Sequence, residues 1–258
     1  MEQTEMPGGK TAVEGPGSED GTMPVPVIVA AAVFFSHMVE AITGFGCMIL
    51  ALPFVGAALG LQKAVPVLVI LSTVFDLVLV IQGRRQVRWK TAFFIAAVTA
   101  VSMPVGFFAL KNFPEETLMR ALGIFIIAAA LLGLLRRSEN TTVDPKRVLF
   151  LPLAGIVQGA FGGSGPFIVL YSQQVLRDKT VFRSTMALVW VLLNTINLVQ
   201  YGLGGMLTAD VFRTAGWLIP CLALGLLVGE AIHRKINARV FSAIIYGILI
   251  VTGITMLV

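Results

Sequence analysis

Two short glycine-rich stretches hold most of the chemistry in this sequence. The first runs Thr43-Gly44-Phe45-Gly46-Cys47-Met48-Ile49-Leu50-Ala51-Leu52-Pro53, the second Phe161-Gly162-Gly163-Ser164-Gly165-Pro166. Each interrupts an apolar region, where a loop in water does not belong. Glycine lets the backbone turn and lets a ligand come close to the peptide N–H groups. A helix that restarts after such a break presents free N–H groups and a partial positive charge. Restarts near Gly46 and Gly165 would aim two such ends at one place, a setting that suits an anion without a buried arginine. Thr43, Gly44, Phe45, Gly46, Cys47, Gly162, Gly163 and Gly165 are therefore candidate binding residues, and Ser164 adds a hydroxyl donor. The plainer alternative is close helix packing through small residues, which is common in membranes.

Polar residues inside the apolar runs form a second group. His37 and Glu40 lie three apart and share one helix face. An intramembrane carboxylate is costly unless paired or protonated, and by default it points to function. Glu40 is a candidate to hydrogen-bond a substrate or to carry a coupling proton; a Glu–His pair that only holds the structure is the competing account. Asp76 and Asn194 lie deep in later segments, with Asn197 one turn beyond Asn194. These side chains are expected to line a pathway, the amides donating to anion oxygens, or else to join helices. Gln158 is a weaker candidate of the same kind. Lys63, Lys179 and Arg183 open their segments and read as mouth cations or as interfacial anchors that snorkel to water. Glu230 is expected to pair locally with His233 and Arg234. The sequence shows no nucleophile motif, no phosphate loop and no metal-binding cluster, and Cys47 and Cys221 lack ligand spacing. No enzyme activity, cofactor or metal is expected.

The elements that must position these residues are membrane segments. The chain has 258 residues, of which 57% are hydrophobic and only 13% charged, and its mean hydropathy is +0.88. That excludes a soluble domain and fits an all-α integral membrane protein. The net charge of +5 comes from short basic clusters between apolar runs. No basic and aromatic interleaving suggests nucleic acid. Residues 1–22 are acidic, rich in glycine and proline, and read as a disordered tail. A first transmembrane repeat spans 23–135, with segments near 24–43, 46–60, 63–83, 89–110 and 117–135. A cytoplasmic linker covers 136–147. A second repeat spans 148–258, with segments near 148–161, 165–176, 181–203, 211–232 and 239–258. The first two segments of each repeat are short and glycine-broken, as a re-entrant hairpin or a broken pair of crossings. Basic clusters at 84–90, 136–147, 177–183 and 234–239 all fall on one side, which the positive-inside rule assigns to the cytoplasm. Both termini are then outside. Each half makes an odd number of net crossings, so the halves are expected to be inverted repeats.

An offset of 118 places Gly44 on Gly162, Cys47 on Gly165, Gln82 on Gln200, Glu40 on Gln158 and Asp76 on Asn194. At two of these pairs the first half carries an acid and the second an amide. The same residues resemble the sulfite exporter TauE/SafE-type permeases. Gly44-Phe45-Gly46-Cys47-Met48 through Pro53 is similar to that family's Gly-Phe-Gly-Gly-Gly run. Gly159-Ala160-Phe161-Gly162-Gly163-Ser164-Gly165 is similar to its second version. Val181-Phe182-Arg183-Ser184-Thr185-Met186 and Leu224 through Ile236 resemble later parts of the pattern, so the likeness covers nearly all of 24–258. Cys47, Met48 and Pro166 stand where the family has glycines. The resemblance implies a secondary transporter for a small sulfur-containing anion, sulfite or an organosulfonate such as sulfoacetate. From the residues themselves, alternating access in the inner membrane is the expectation, with Glu40 or Asp76, as intramembrane acids, the candidates to couple a proton, and a passive anion channel is the alternative. The lipid bilayer is the other partner, and a homo-oligomer is allowed but not specified.

Overall fold

The computed structural model describes residues 25–134, 145–176 and 178–233, together with 250 and 254. The tail at 1–22, most of the linker, Arg234 and nearly all of the segment expected at 239–258 lie outside the described residues. The described chain is helical: α1 Val25–Thr43, α2 Cys47–Leu59, α3 Leu61–Gly83, α4 Trp89–Ala100, α5 Met103–Asn112, α6 Glu115–Leu134, a 3-10 turn at Pro145–Leu149, α7 Phe150–Phe161, α8 Gly165–Val175, α9 Lys179–Leu203 and α10 Ala209–His233. Among the described residues α1, α3, α9 and α10 are long and apolar enough to cross a membrane. A fifth crossing results if α4 and α5 act as one bent span. The chain is a multi-pass membrane protein.

Its turns have local causes. Gly44 and Gly46 adopt φ of 82° and 108°, and Gly162 adopts 69°, the left-handed region that other residues enter only at a cost. The short second segments are α2 and α8, of 13 and 11 residues. The run at 89–110, expected as one segment, is instead split into α4 and α5 with a bend of 45°. Pro104 has no N–H to donate to Ala100, which interrupts the helical ladder. Ser102 Oγ then donates to Pro152 O at 2.5 Å and ties the bend to the α7 region. At the start of α9, Asp178 accepts from the N–H groups of Thr180 and Val181, both at 2.9 Å, a side-chain cap of two otherwise orphan donors.

The packing interleaves the two halves. The end of α3 meets the start of α9, where a Cβ on Gly83 would strike the Ser184 side chain, so these two long helices run antiparallel through the middle. Phe75, Leu68 and Leu71 of α3 are fully buried there. Helix α1 lies against α10, and α7 lies against α4 and α5. Both contacts are glycine-mediated. A Cβ on Gly225 or Gly229 would meet the α1 backbone at Phe34 and Met38. One on Gly155 or Gly159 would meet the backbone at Thr99 or Met103. Glycines four apart let backbones approach where lipid supplies no hydrophobic drive for helices to associate. The outward faces of α4, α5 and α10 expose Phe93, Phe108, Trp217 and Leu227, as lipid-facing helices do.

Two ion pairs join the ends of different helices, the first across the halves and the second within the second half. Lys63 Nζ lies 2.6 Å from Asp210 at the starts of α3 and α10. Arg183, in the first turns of α9, pairs with Glu230 near the end of α10. The local partners expected for Glu230, the His233 side chain and Arg234, lie outside the described residues. The described partner of Glu230, Arg183, comes from another helix. Lys63, expected as a mouth cation or an anchor, is also engaged. The Lys179 side chain lies outside the described residues.

Candidate functional site

The first break is built from both sides. Helix α1 ends with Gly44 N–H donating to Glu40 O at 2.7 Å, and Thr43 Oγ1 accepts from Phe45 N–H at 3.3 Å. Trp190 of α9 donates its indole N–H to Gly44 O at 3.2 Å. Arg183 of the same helix packs over Gly44, where a Cβ would come within 3.4 Å of its Cγ. The Glu40 carboxylate takes hydrogen bonds from the backbone N–H and the thiol of Cys47. It therefore caps the helix that restarts after its own break.

The second break has the same plan with an amide in the acid's place. Gln158 Oε1 accepts from Ser164 N–H at 3.1 Å and from Ser164 Oγ at 3.0 Å. Gln158 Nε2 donates to Gly162 O and to Asn194 Oδ1, both at 3.1 Å. Asn197 Nδ2 donates to Gln158 O at 3.1 Å. Glu40 and Gln158 thus occupy matching positions and do matching work. The restarting ends are not bare, as the sequence suggested. Each is already met by a side chain four residues before its first glycine.

The two breaks touch. A Cβ on Gly163 would overlap Met48, and one on Gly165 would come within 3.3 Å of Phe45. Between them lies a small cavity with an open mouth. Gly46, Cys47, Met48 and Ile49 of the first break and Gly162, Gly163, Ser164 and Gly165 of the second line it. Helix α3 contributes Ser72 and Asp76, α9 contributes Trp190 and Asn194, and Glu40 completes the wall. Of the residues singled out from sequence, His37, Thr43, Gly44, Phe45, Gln158 and Asn197 stand behind this lining. Gln158 and Asn197 hold the second break rather than face the cavity.

Ser72 and Trp190 were missed, although the sequence contained a signal for both. Ser72 is one helical turn from Asp76, and Trp190 one turn from Asn194. The offset of 118 that pairs Asp76 with Asn194 also pairs Ser72 with Trp190. Reading the repeat one turn further along each helix would have found them.

Charge in the cavity is one-sided. Glu40 and Asp76 are buried, at 3% and 1% exposed. Glu40 Oε2, both Asp76 carboxylate oxygens and His37 Nε2 have no hydrogen-bond partner among the described residues. Cys47 Sγ lies 3.0 Å from Ser72 Oγ. A ring nitrogen of His37, a carboxylate oxygen of Glu40 and Cys47 Sγ lie within 4.8 Å of one another. The sequence suggested no metal-binding cluster. Local spacing does not flag this group, because Cys47 reaches it only after the chain has turned at Gly44 and Gly46.

Broken segments of a multi-pass helical protein meeting at a cavity lined by acids and amides are the organisation of a membrane transport protein. The sequence model of the sulfite exporter TauE/SafE family matches residues 29–256, and the chain belongs to that family. It is similar to the "Probable inner membrane transporter protein TsaS" of Comamonas testosteroni, with 24% identity over 177 residues, 67% of this chain and 73% of that protein. It is also similar to the "Probable sulfite/organosulfonate exporter TauE" of Cupriavidus necator H16, with 22% identity over 226 residues, 84% of this chain and 88% of that protein. No solved structure matches the chain.

Proposed function

We propose that the chain is a secondary transporter. It moves a small sulfur-containing anion, sulfite or an organosulfonate such as sulfoacetate, across the cytoplasmic membrane by alternating access. The observation that carries this reading is the meeting of two glycine breaks, one from each half, at one cavity. Membrane transporters built from repeats place their sites at such interrupted helices. The substrate class comes from the family and from the relative whose name mentions sulfite and organosulfonate.

Two inverted five-segment repeats are part of the proposal. The packing supports them because it is reciprocal: α1 of one half leans on α10 of the other, and α7 leans on α4 and α5. Orientation is proposed with the loop of Arg84, Arg85, Arg88 and Lys90 in the cytoplasm and both termini outside. That loop follows the end of α3, where the start of α9 and the end of α10 also lie, so one side of the molecule collects these ends.

An anion beside Glu40 and Asp76 requires compensating positive charge. In this proposal a cation entering with the anion supplies it, and a proton is the smallest such cation. Rocking of one repeat against the other would expose the cavity to each side in turn.

The test is uptake of labelled sulfite and sulfoacetate by purified protein in liposomes, with and without a pH gradient, beside a Gly165→Leu variant. Saturable uptake with counterflow, lost when a leucine presses on Phe45, is the expected result. Single-channel currents would identify a passive anion channel instead, and no flux of either anion in folded protein would remove the substrate class.

A further inference from the structure

The residues behind and beside the first break do more than line a path. His37 is fully buried on α1, and its Nδ1 lies 2.8 Å from Val33 O. A carbonyl oxygen only accepts, so Nδ1 carries the hydrogen and Nε2 of the neutral ring presents a bare lone pair. That Nε2 has no partner among the described residues, and neither has Glu40 Oε2. Leaving such groups unsatisfied inside a membrane is expensive. An imidazole oriented by a backbone carbonyl through one nitrogen, with the other nitrogen free, is the usual arrangement of a metal-ligating histidine.

We propose that His37, Glu40 and Cys47 bind one thiophilic divalent cation of the Zn²⁺ class. The donor set is one nitrogen, one oxygen and one sulfur, which suits zinc better than magnesium or calcium. A ring nitrogen of His37, a carboxylate oxygen of Glu40 and Cys47 Sγ lie within 4.8 Å of one another. That is roughly 1 Å beyond the ~3.5 Å edge implied by zinc–ligand bonds of about 2.0–2.3 Å in a tetrahedron, within the reach of small side-chain rotations. Binding transfers the thiol proton, and any proton on Glu40, to solvent. A dication with one thiolate, one carboxylate and one neutral imidazole carries no net charge, which removes the cost of isolated charges in the interior. Glu40 and Cys47 line the cavity, which gives the ion its entry. Cys47 stands where the resembled family pattern has a glycine, so the site belongs to this chain's own sequence.

Binding can be read without any flux, so the outcome is separate from the transport reading. Full-length protein is purified in detergent with a chelator, the chelator is removed, and Co²⁺ is titrated as a spectroscopic stand-in for Zn²⁺. One equivalent per chain is expected, with a thiolate-to-metal charge-transfer band and the visible bands of tetrahedral Co²⁺. The band should be lost in Cys47→Ala, His37→Ala and Glu40→Gln. It should persist in Cys221→Ala, where Cys47 is the sole thiol and the site is untouched. Absence of a stoichiometric band in the Cys221→Ala protein overturns the proposal whether or not the site variants fold. A band that survives Cys47→Ala overturns it equally.

Discussion

Trp190 and Gly44 are joined by a hydrogen bond of 3.2 Å from the indole N–H to the carbonyl oxygen. The first glycine break is therefore held by a helix of the other half. Trp190→Phe leaves the Gly44 carbonyl without this donor at a buried place, a loss of about 1–3 kcal/mol. The expected outcome is a lower melting temperature in detergent and weaker anion uptake, with the protein still folded. Unchanged melting and uptake would show that the contact carries neither stability nor function.

Glu40→Gln together with Asp76→Asn is the second prediction. Each change installs the amide that the paired position already carries in Gln158 and Asn194. The cap on α2 survives, since an amide oxygen accepts from the Cys47 N–H as Gln158 accepts from Ser164. The variant should fold, and its uptake should lose dependence on the pH gradient. If the gradient dependence stayed at the wild-type level, cation coupling through this pair of acids would be wrong.

The two ion pairs are predicted to differ in weight. Side-chain exposure is 31% and 63% for Lys63 and Asp210, against 18% and 33% for Arg183 and Glu230. Exposed pairs are worth about 0–1 kcal/mol, whereas stripping one partner from a more buried pair costs more. Glu230→Ala should lower the melting temperature further than Asp210→Ala. The exchanged pair Arg183→Glu with Glu230→Arg should recover part of the loss. Equal shifts for the two alanine variants would contradict this ranking.

Glycines at close helix approaches should be intolerant, and those facing open space should not. Gly159→Val pushes a branched side chain into the backbone at Met103, while a Cβ on Gly216 meets nothing within 4 Å. The first variant should fail to give a monodisperse peak in fluorescence-detected size exclusion. Gly216→Ala should match or slightly exceed wild type, because alanine is the better helix former by about 1 kcal/mol.

Much of this fold was legible because membrane segments announce themselves by apolar length, and the breaks by glycine inside them. The repeat offset placed Asp76 opposite Asn194 on helices that do pack together. The bend at Ser102 was not read, because the apolar run continues through Pro104 and composition alone does not register a missing N–H. The Arg183–Glu230 pair was not read either. Near neighbours such as His233 offered a local partner, and only packing brings α9 to the end of α10. The grouping of Cys47 with His37 depends on the turn between them, and no linear spacing encodes that turn.

The interleaving of the halves has a consequence for how the molecule is made. Of the described helices α1 leaves the ribosome first, yet the glycines it rests on, Gly225 and Gly229, are among the last parts of the described chain to be synthesised. Until they arrive, the face of α1 that will meet them has only lipid or an assembly factor for company. A nascent chain interrupted before α10 is therefore no smaller version of the finished protein. It is an unclosed one, with its first helix still waiting for a partner, and a natural object for membrane quality control.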